Sequence, residues 1–448
     1  MKSISLLTAT CIVIANMIGT GIFTSLGFQV GDLTTGFSIM ALWFVGGVCA
    51  LCGALSYAEL GAALPRSGGE YHFLGTIYHP AIGFLAGWVS ATVGFAAPVA
   101  LAAMAFGKYL VGVVPGMPAL VLSPNYTLPA ETYAALVIVL IVTLFLLRDV
   151  GLGSAFQDAS TLLKVALIVG VIGAGFFVAH AQPVSFLPAA GDGKLIASAP
   201  FAVSLVYVMY AYSGWNASTY IVGEIRDPAR SIPLSVGIGT FVVMVLYLAV
   251  NAVFLHTTPA DEMKMKVEVG LIAGTHIFGA AGAKIMAALI CAGLVSSISA
   301  MMWIGPRVTM AMGEDMRAFR LLARKTSRGI PVPATIVQFI IVIVLLLTST
   351  FDKVLTYVQF ALQVCSFLTV LGVIVLRFRR PNLARPYKTW GYPLTPLVFL
   401  GISAWMLVHI WRSNPQESLW GLATMAVGLV VYFISPARPP AVAASSAS

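Results

Sequence analysis

Two short runs of small and polar residues interrupt otherwise apolar stretches of the chain: Gly19-Thr20-Gly21 and Ser213-Gly214-Trp215-Asn216. Glycine weakens a helix and polar neighbours need hydrogen-bond partners, so each run reads as a place where a helix comes apart. A broken helix presents amide N–H groups at the start of one half and carbonyl oxygens at the end of the other. The amides of Thr20, Gly21 and Ile22, at the positive end of a half-helix dipole, can take a carboxylate. Carbonyls around Asn16, Met17, Tyr210 and Ala211 can take an ammonium group, and glycine at 19 and 21 lets a ligand approach the backbone. Together the breaks suit a zwitterion. Glycine by itself also serves close helix packing, so the argument rests on coincidence: both breaks are at mid-span, polar, and five helices apart.

Other residues bear on the same place. Lys164, in Leu162-Leu163-Lys164-Val165-Ala166, is the one basic residue deep within an apolar run, and charge at membrane depth is a functional signal. It stands about 13 Å of helical rise from the nearest run end, a long reach for a snorkelling lysine. It can exchange a proton or stay as a fixed substitute for a bound cation. Ser296, Ser297 and Ser299 offer hydroxyls that would reach an ammonium if their helix neighbours that of Lys164, although serine is also common at packing seams. Tyr210 and Trp215 flank the second break as gates over a ligand or as ordinary packing. Glu59, Arg66 and Glu70 form either a gate-closing network or a plain interfacial ion pair. Neither His72 with His79 nor the Cys49/Cys52 pair has further ligands at metal spacing, so no metal is expected. A Walker-type phosphate loop is lacking and no cofactor is expected; transport would run on gradients or exchange.

The elements that must carry these residues are helices in a bilayer. Of the residues 59% are hydrophobic and 9% charged, against roughly a quarter charged in a soluble domain. The sequence predicts an all-α integral membrane protein with twelve transmembrane helices: residues 5–29, 36–61, 81–113, 132–147, 155–178, 201–223, 234–255, 285–312, 333–347, 354–378, 394–411 and 419–434. The two breaks then relate residues 1–181 (helices 1–5) to residues 199–380 (helices 6–10) as an inverted repeat, with 391–435 as helices 11 and 12 and 436–448 as a disordered tail. The net charge of +9 does not point to nucleic acid, because Lys and Arg gather between alternate apolar runs, as at Arg226 with Arg230 and at Arg377, Arg379 and Arg380. This is the positive-inside pattern, and it places both termini in the cytoplasm.

At this point the residues resemble the amino acid–polyamine–organocation (APC) superfamily of permeases. The matching motifs are Asn16-Met17-Ile18-Gly19-Thr20-Gly21-Ile22-Phe23, Ser56-Tyr57-Ala58-Glu59-Leu60-Gly61 with Pro65-Arg66-Ser67-Gly68-Gly69-Glu70-Tyr71, Ser213-Gly214-Trp215-Asn216, Glu224-Ile225-Arg226-Asp227-Pro228-Ala229-Arg230, Gly305-Pro306-Arg307 and Arg385-Pro386-Tyr387-Lys388. The resemblance implies a leucine-transporter-type 5+5 inverted repeat with discontinuous helices 1 and 6, Na⁺-independent transport and an α-amino acid substrate. It puts the substrate carboxylate on Thr20, Gly21 and Ile22, and the amino group on carbonyls of Ile18 and of Tyr210 through Ser213. Lys164 takes the place of a sodium ion with Ser296 or Ser297 as partner, and Tyr210 is the gating aromatic. Gly214-Trp215-Asn216 is most similar to L-type amino acid transporters and their bacterial relatives. Animal members of that branch carry a cysteine between helices 3 and 4 for a glycoprotein partner; Val114 to Glu131 holds none, so no disulfide-linked heavy subunit and a prokaryotic inner membrane are expected. Where arginine exchangers place an acid in helix 6 this chain has Asn216.

These readings converge on a carrier of neutral L-amino acids, working by exchange or with proton coupling. A cationic amino acid or polyamine carrier is the alternative in the same fold, and a channel, ligand sensor or membrane enzyme belongs to other classes. A sensor usually needs an output domain, and an enzyme needs a nucleophile–base or metal set that the sequence lacks.

Overall fold

In the computed structural model, residues 4–66, 68–114, 116–123, 126–148, 151–178, 181–316, 319–327 and 329–435 are described. The chain is almost wholly helical, and in order the helices are α1 (Leu6–Met17), α2 (Gly21–Thr24) running into a 3-10 turn (Ser25–Phe28), α3 (Gly36–Ala63), α4 (Glu70–Ile77), α5 (Pro80–Val89), a π-helical turn (Ser90–Gly94) and α6 (Ala96–Val113). A small hairpin, β1 (Leu120–Ser123) with β2 (Tyr126–Leu128), precedes α7 (Ala130–Arg148), α8 (Gly151–Gly175), α9 (Asp192–Ile196) and α10 (Ala199–Ala211). After a 3-10 stretch (Ala217–Glu224) come α11 (Pro228–Thr257), α12 (Ala260–Met263), α13 (Val269–Asp315), α14 (Val332–Thr348), α15 (Phe351–Arg379), α16 (Leu394–Ser413) and α17 (Pro415–Ile434).

Nine helical segments among the described residues are long and apolar enough to cross a bilayer, and three shorter apolar helices (Thr161–Gly175, Ala199–Ala211 and Val332–Thr348) fall in the remaining expected spans. With little soluble surface, this is a multi-pass membrane protein. Side-chain hydroxyls start several helices where the chain turns in: Ser5, Thr35 and Ser198 each accept the amide three residues on, which satisfies one of the orphan donors of a helix start. Outward faces stay apolar, as at Ile141, Leu144, Phe241, Val245 and Ile340, because they meet lipid rather than water.

Several boundaries differ from the apolar runs. The eighth expected span, 285–312, lies inside α13, which begins at Val269 and is kinked at Gly279 (φ 70°); the segment before the kink is an added helical turn or more that the expected span leaves out. Likewise α11 extends six residues before the expected start, through Pro228-Ala229-Arg230-Ser231, since helix hydrogen bonding does not stop at the edge of the apolar stretch. The expected tail, 436–448, lies outside the described residues.

Packing places the two broken helices at the centre. α1 lies on α11 and α10 lies on α3, while α3 with α11 and α6 with α13 form the most extensive helix pairs. The N-terminus, the end of α3 and the start of α11 share one face, where Arg226 N–H donates to Ile4 C=O (3.0 Å). We call this the N-terminal face.

Candidate functional site

Helix α1 stops at Met17, Ile18 leaves helical geometry (φ −74°, ψ 87°), and α2 restarts at Gly21. The second break runs from Tyr212 to Asn216, with Gly214 at φ 97°. The expectation of two discontinuous helices is thus met in the backbone. The breaks also lean on each other. A side chain at Gly21 would strike Ala211 Cα at 2.5 Å, and one at Gly214 would strike the Asn16 carbonyl oxygen at 2.8 Å. Gly21 is therefore needed for the helix crossing as well as bordering the space between the breaks, and at Gly19 an added side chain would lie 3.9 Å from Ser297 Oγ.

Tyr247, within α11, joins the two breaks. Its hydroxyl meets Met17 C=O at 2.6 Å and Ala211 C=O at 3.2 Å, so two carbonyls expected to face an ammonium group already share a donor. Sequence reading passed over this residue. The signal was a phenol in an apolar run, which must find a polar partner when buried. Tyr210 is 5% exposed, and its hydroxyl pairs with Thr20 Oγ1 at 2.8 Å. One break thereby closes on the other. Toward the opposite face Phe28 stacks between Tyr207 and Phe351 (centroids 5.1 and 5.8 Å).

Two adjoining cavities follow. A void of about 30 Å³ lies between the breaks, lined by Asn16, Gly19, Thr20, Gly21, Tyr210, Ala211, Ser213 and Ser297; that is room for about two waters. It shares Asn16, Pro98, Ser213 and Met301 with a larger cavity of about 100 Å³ toward the N-terminal face. Trp215, Asn216, Tyr220, Gln359, Gln363, Ser366 and Glu70 line this second space. Ser213 and Asn216 thus reach these cavities, whereas the wholly buried Ile18 and Ile22 line neither of the two. Trp215 packs edge-on against Tyr57 (centroids 4.6 Å).

Lys164 is 3% exposed and donates from Nζ to Ser297 Oγ at 2.8 Å. Ser297 Oγ in turn lies 3.3 Å from Gly293 C=O. The lysine stem lies along Gly293, and the group borders a void of about 10 Å³ with Ile18, Gly19 and Phe23. Ser297 rather than Ser296 supplies the hydroxyl found against the amine; Ser296 is fully buried nearby in α13. The lysine therefore links α8 to α13 directly behind the first break.

The three charged residues at the end of α3 separate. Glu59, 1% exposed, takes Arg377 in a two-point bridge (2.9 and 2.6 Å) and accepts both the amide and the hydroxyl of Thr389 at 2.7 Å. Arg385 adds charge at 3.5 Å while its guanidinium caps the last carbonyls of α15, including Leu376. Arg66 does not join it; it is largely exposed and stands 3.8 Å from Asp315. Glu70 is turned inward by Gly68 and Gly69, both at positive φ, and accepts hydrogen bonds from Tyr57 and Ser366. Among the described residues, no group of three His, Cys, Asp or Glu side chains could hold a metal ion. His79 instead starts α5, its Nδ1 accepting the Ala81 amide at 3.2 Å.

Comparison with known proteins gives a consistent result. The family described as "Amino acid permease" matches residues 4–434. The b(0,+)-type amino acid transporter 1 of Mus musculus is 26% identical over 441 residues, covering 97% of this chain and 88% of its own. The large neutral amino acids transporter small subunit 2 of Homo sapiens is 28% identical over 451 residues, covering 97% and 80%. The Asc-type amino acid transporter 1 of Mus musculus is 26% identical over 440 residues, covering 97% and 81%.

Proposed function

The chain belongs to the amino acid permease family and transports amino acids, and from that premise we propose that it carries neutral L-amino acids across a prokaryotic inner membrane by alternating access, independently of Na⁺, through exchange or with proton coupling. Twelve spans with both termini cytoplasmic accord with the helix set and with the clustering of Lys and Arg at alternate loops.

The packing supports a 5+5 inverted repeat of residues 1–181 and 199–380. Numbering the proposed spans in order, each principal neighbour pair has a mate five spans on. The first packs on the seventh as the sixth packs on the second; the third packs on the fourth as the eighth packs on the ninth; the fifth packs on the eighth as the tenth packs on the third. Five is odd, so mates cross the membrane in opposite directions, which is the inverted arrangement.

The observation that carries the substrate reading is the meeting of the two breaks around one small void at mid-depth. The amides of Thr20, Gly21 and Ile22 take the carboxylate, and remaining carbonyl lone pairs from Ile18 and from Tyr210 to Ser213 take the ammonium group. Lys164 with Ser297 holds the first break in place of a sodium ion. Tyr210 and Trp215 gate the site, and the bridge from Glu59 to Arg377 closes the N-terminal face. The side chain points into the cavity with Asn216, where family relatives for arginine use an acid. The relative from Homo sapiens is named a small subunit, yet without a cysteine in Val114 to Glu131 this chain works with no disulfide-linked partner.

Counterflow of radiolabelled amino acid in proteoliposomes tests the reading. Neutral amino acids should compete at least tenfold better than arginine or putrescine. The reverse order would establish the cationic alternative, for which Glu70 in the cavity wall is the available counter-charge. Exchange that ignores a pH gradient would exclude coupling; accumulation driven by an inward proton gradient would establish it.

A further inference from the structure

Glu70 is the one carboxyl group among the described residues that line the cavities at the breaks. It is 3% exposed, and none of the ion pairs among the described residues includes it. Its neighbours are hydroxyls: Tyr57 from α3 and Ser366 from α15, the latter at 3.1 Å, both donating to one carboxyl oxygen. The ionisable groups facing it are Tyr57 of α3, Tyr220 of the 3-10 stretch and Cys365 of α15. On its own helix, Tyr71 and His72 face Arg66 and Asp315 instead. No lysine or arginine from these elements comes within ion-pair distance among the described residues.

A carboxylate enclosed without a cation is costly, and two neutral donors do not repay the loss of water. Such a group takes up the smallest available cation. Glu59 shows the contrast: equally buried, it is held by Arg377 and Arg385 and needs no proton. Building on the transport reading above, we propose that Glu70 is the proton site of the cycle, protonated while the cavity is closed around substrate and ionised when the cavity opens to water. On opening, the carboxyl O–H bond breaks and the proton passes to a cavity water, leaving the carboxylate on the Tyr57 and Ser366 hydroxyls. On closing from the other side, the carboxylate regains a proton from water that reaches it through the space shared by the two cavities. The empty carrier returns with water against the ionised carboxylate, so one proton moves with each substrate. Burial pushes the Glu70 carboxyl above the usual carboxylate range, with Tyr57 and Ser366 pulling the other way.

The test measures amino-acid-driven proton movement with a trapped pH dye, alongside counterflow, in the same proteoliposomes. Wild type should move about one proton per neutral amino acid taken up. Glu70→Gln keeps an acceptor for both hydroxyls and removes titration, so protons moved per amino acid should fall at least tenfold. Tyr57→Phe keeps the acid but removes a donor that favours its charged form, so the midpoint of pH-dependent uptake should move upward. This second variant decides the matter if Glu70→Gln fails to fold. An unchanged proton ratio in Glu70→Gln, an unchanged midpoint in Tyr57→Phe, or wild-type counterflow with no proton movement would overturn the assignment. Preference for arginine over neutral substrates would also overturn it, giving Glu70 to the substrate. Absence of wild-type counterflow altogether would instead strike at the transport reading itself.

Discussion

Replacing Lys164 with alanine reduces counterflow about 10²-fold at every pH, while the protein still extracts as a folded species. The magnitude follows from position, since a displacement of about 1 Å in a positioned site costs that order of rate. The amine reaches Ser297 at 2.8 Å and its stem fills the space beside Gly293, behind Ile18 and Gly19. Alanine leaves a hollow there, and the first break loses its support from α8. Ser297→Ala, which keeps the stem, should cost less than a tenth as much. Counterflow measured from pH 5.5 to 8.5 separates two roles. Uniform loss identifies a fixed positioning residue, whereas retained exchange that has lost only its pH dependence would make Lys164 the proton carrier and displace Glu70.

Gly214→Ala has the second largest effect and acts on stability and binding together. At φ 97° an L-residue is strained by about 1–2 kcal/mol, and the new methyl meets the Asn16 carbonyl oxygen at 2.8 Å. Overpacking of that kind adds about 1–3 kcal/mol. The two breaks must move apart, so apparent substrate affinity should fall by at least tenfold and thermal stability should fall clearly. Gly170→Ala is the control. It sits within α8 with nothing within 4 Å of the added group, and a helical Gly-to-Ala change there should be neutral or slightly stabilising. Equal behaviour of the two variants would mean that the breaks are not in mutual contact.

Much of this arrangement is legible in the sequence because it is written locally. Apolar run length reveals the helices, and Gly19-Thr20-Gly21 and Ser213-Gly214-Trp215-Asn216 reveal where two of them stop, because two polar, glycine-bearing runs fall at mid-span five helices apart. A single lysine in an apolar run is equally conspicuous. What escaped is set by contacts between distant segments. Tyr247 ties Met17 to Ala211 through one hydroxyl, yet nothing around Leu246-Tyr247-Leu248 says which carbonyls it meets. Glu59 pairs with Arg377 and Thr389, over three hundred residues away, rather than with Arg66 a turn or two beyond its own helix. The same holds for Glu70. Its motif reads as an interfacial loop, but the turn at Gly68 and Gly69 carries the acid into the cavity wall.

The central claim is that both charged ends of an α-amino acid are held by the two breaks. It is tested most directly by competition against leucine counterflow with three ligands of one side chain: leucine, its 2-hydroxy acid, which lacks the ammonium group, and isoamylamine, which lacks the carboxylate. Unlabelled leucine should inhibit, and each truncated ligand should be at least a hundredfold weaker. If either truncated ligand competes as well as leucine, one of the two breaks does not bind the substrate and the account fails.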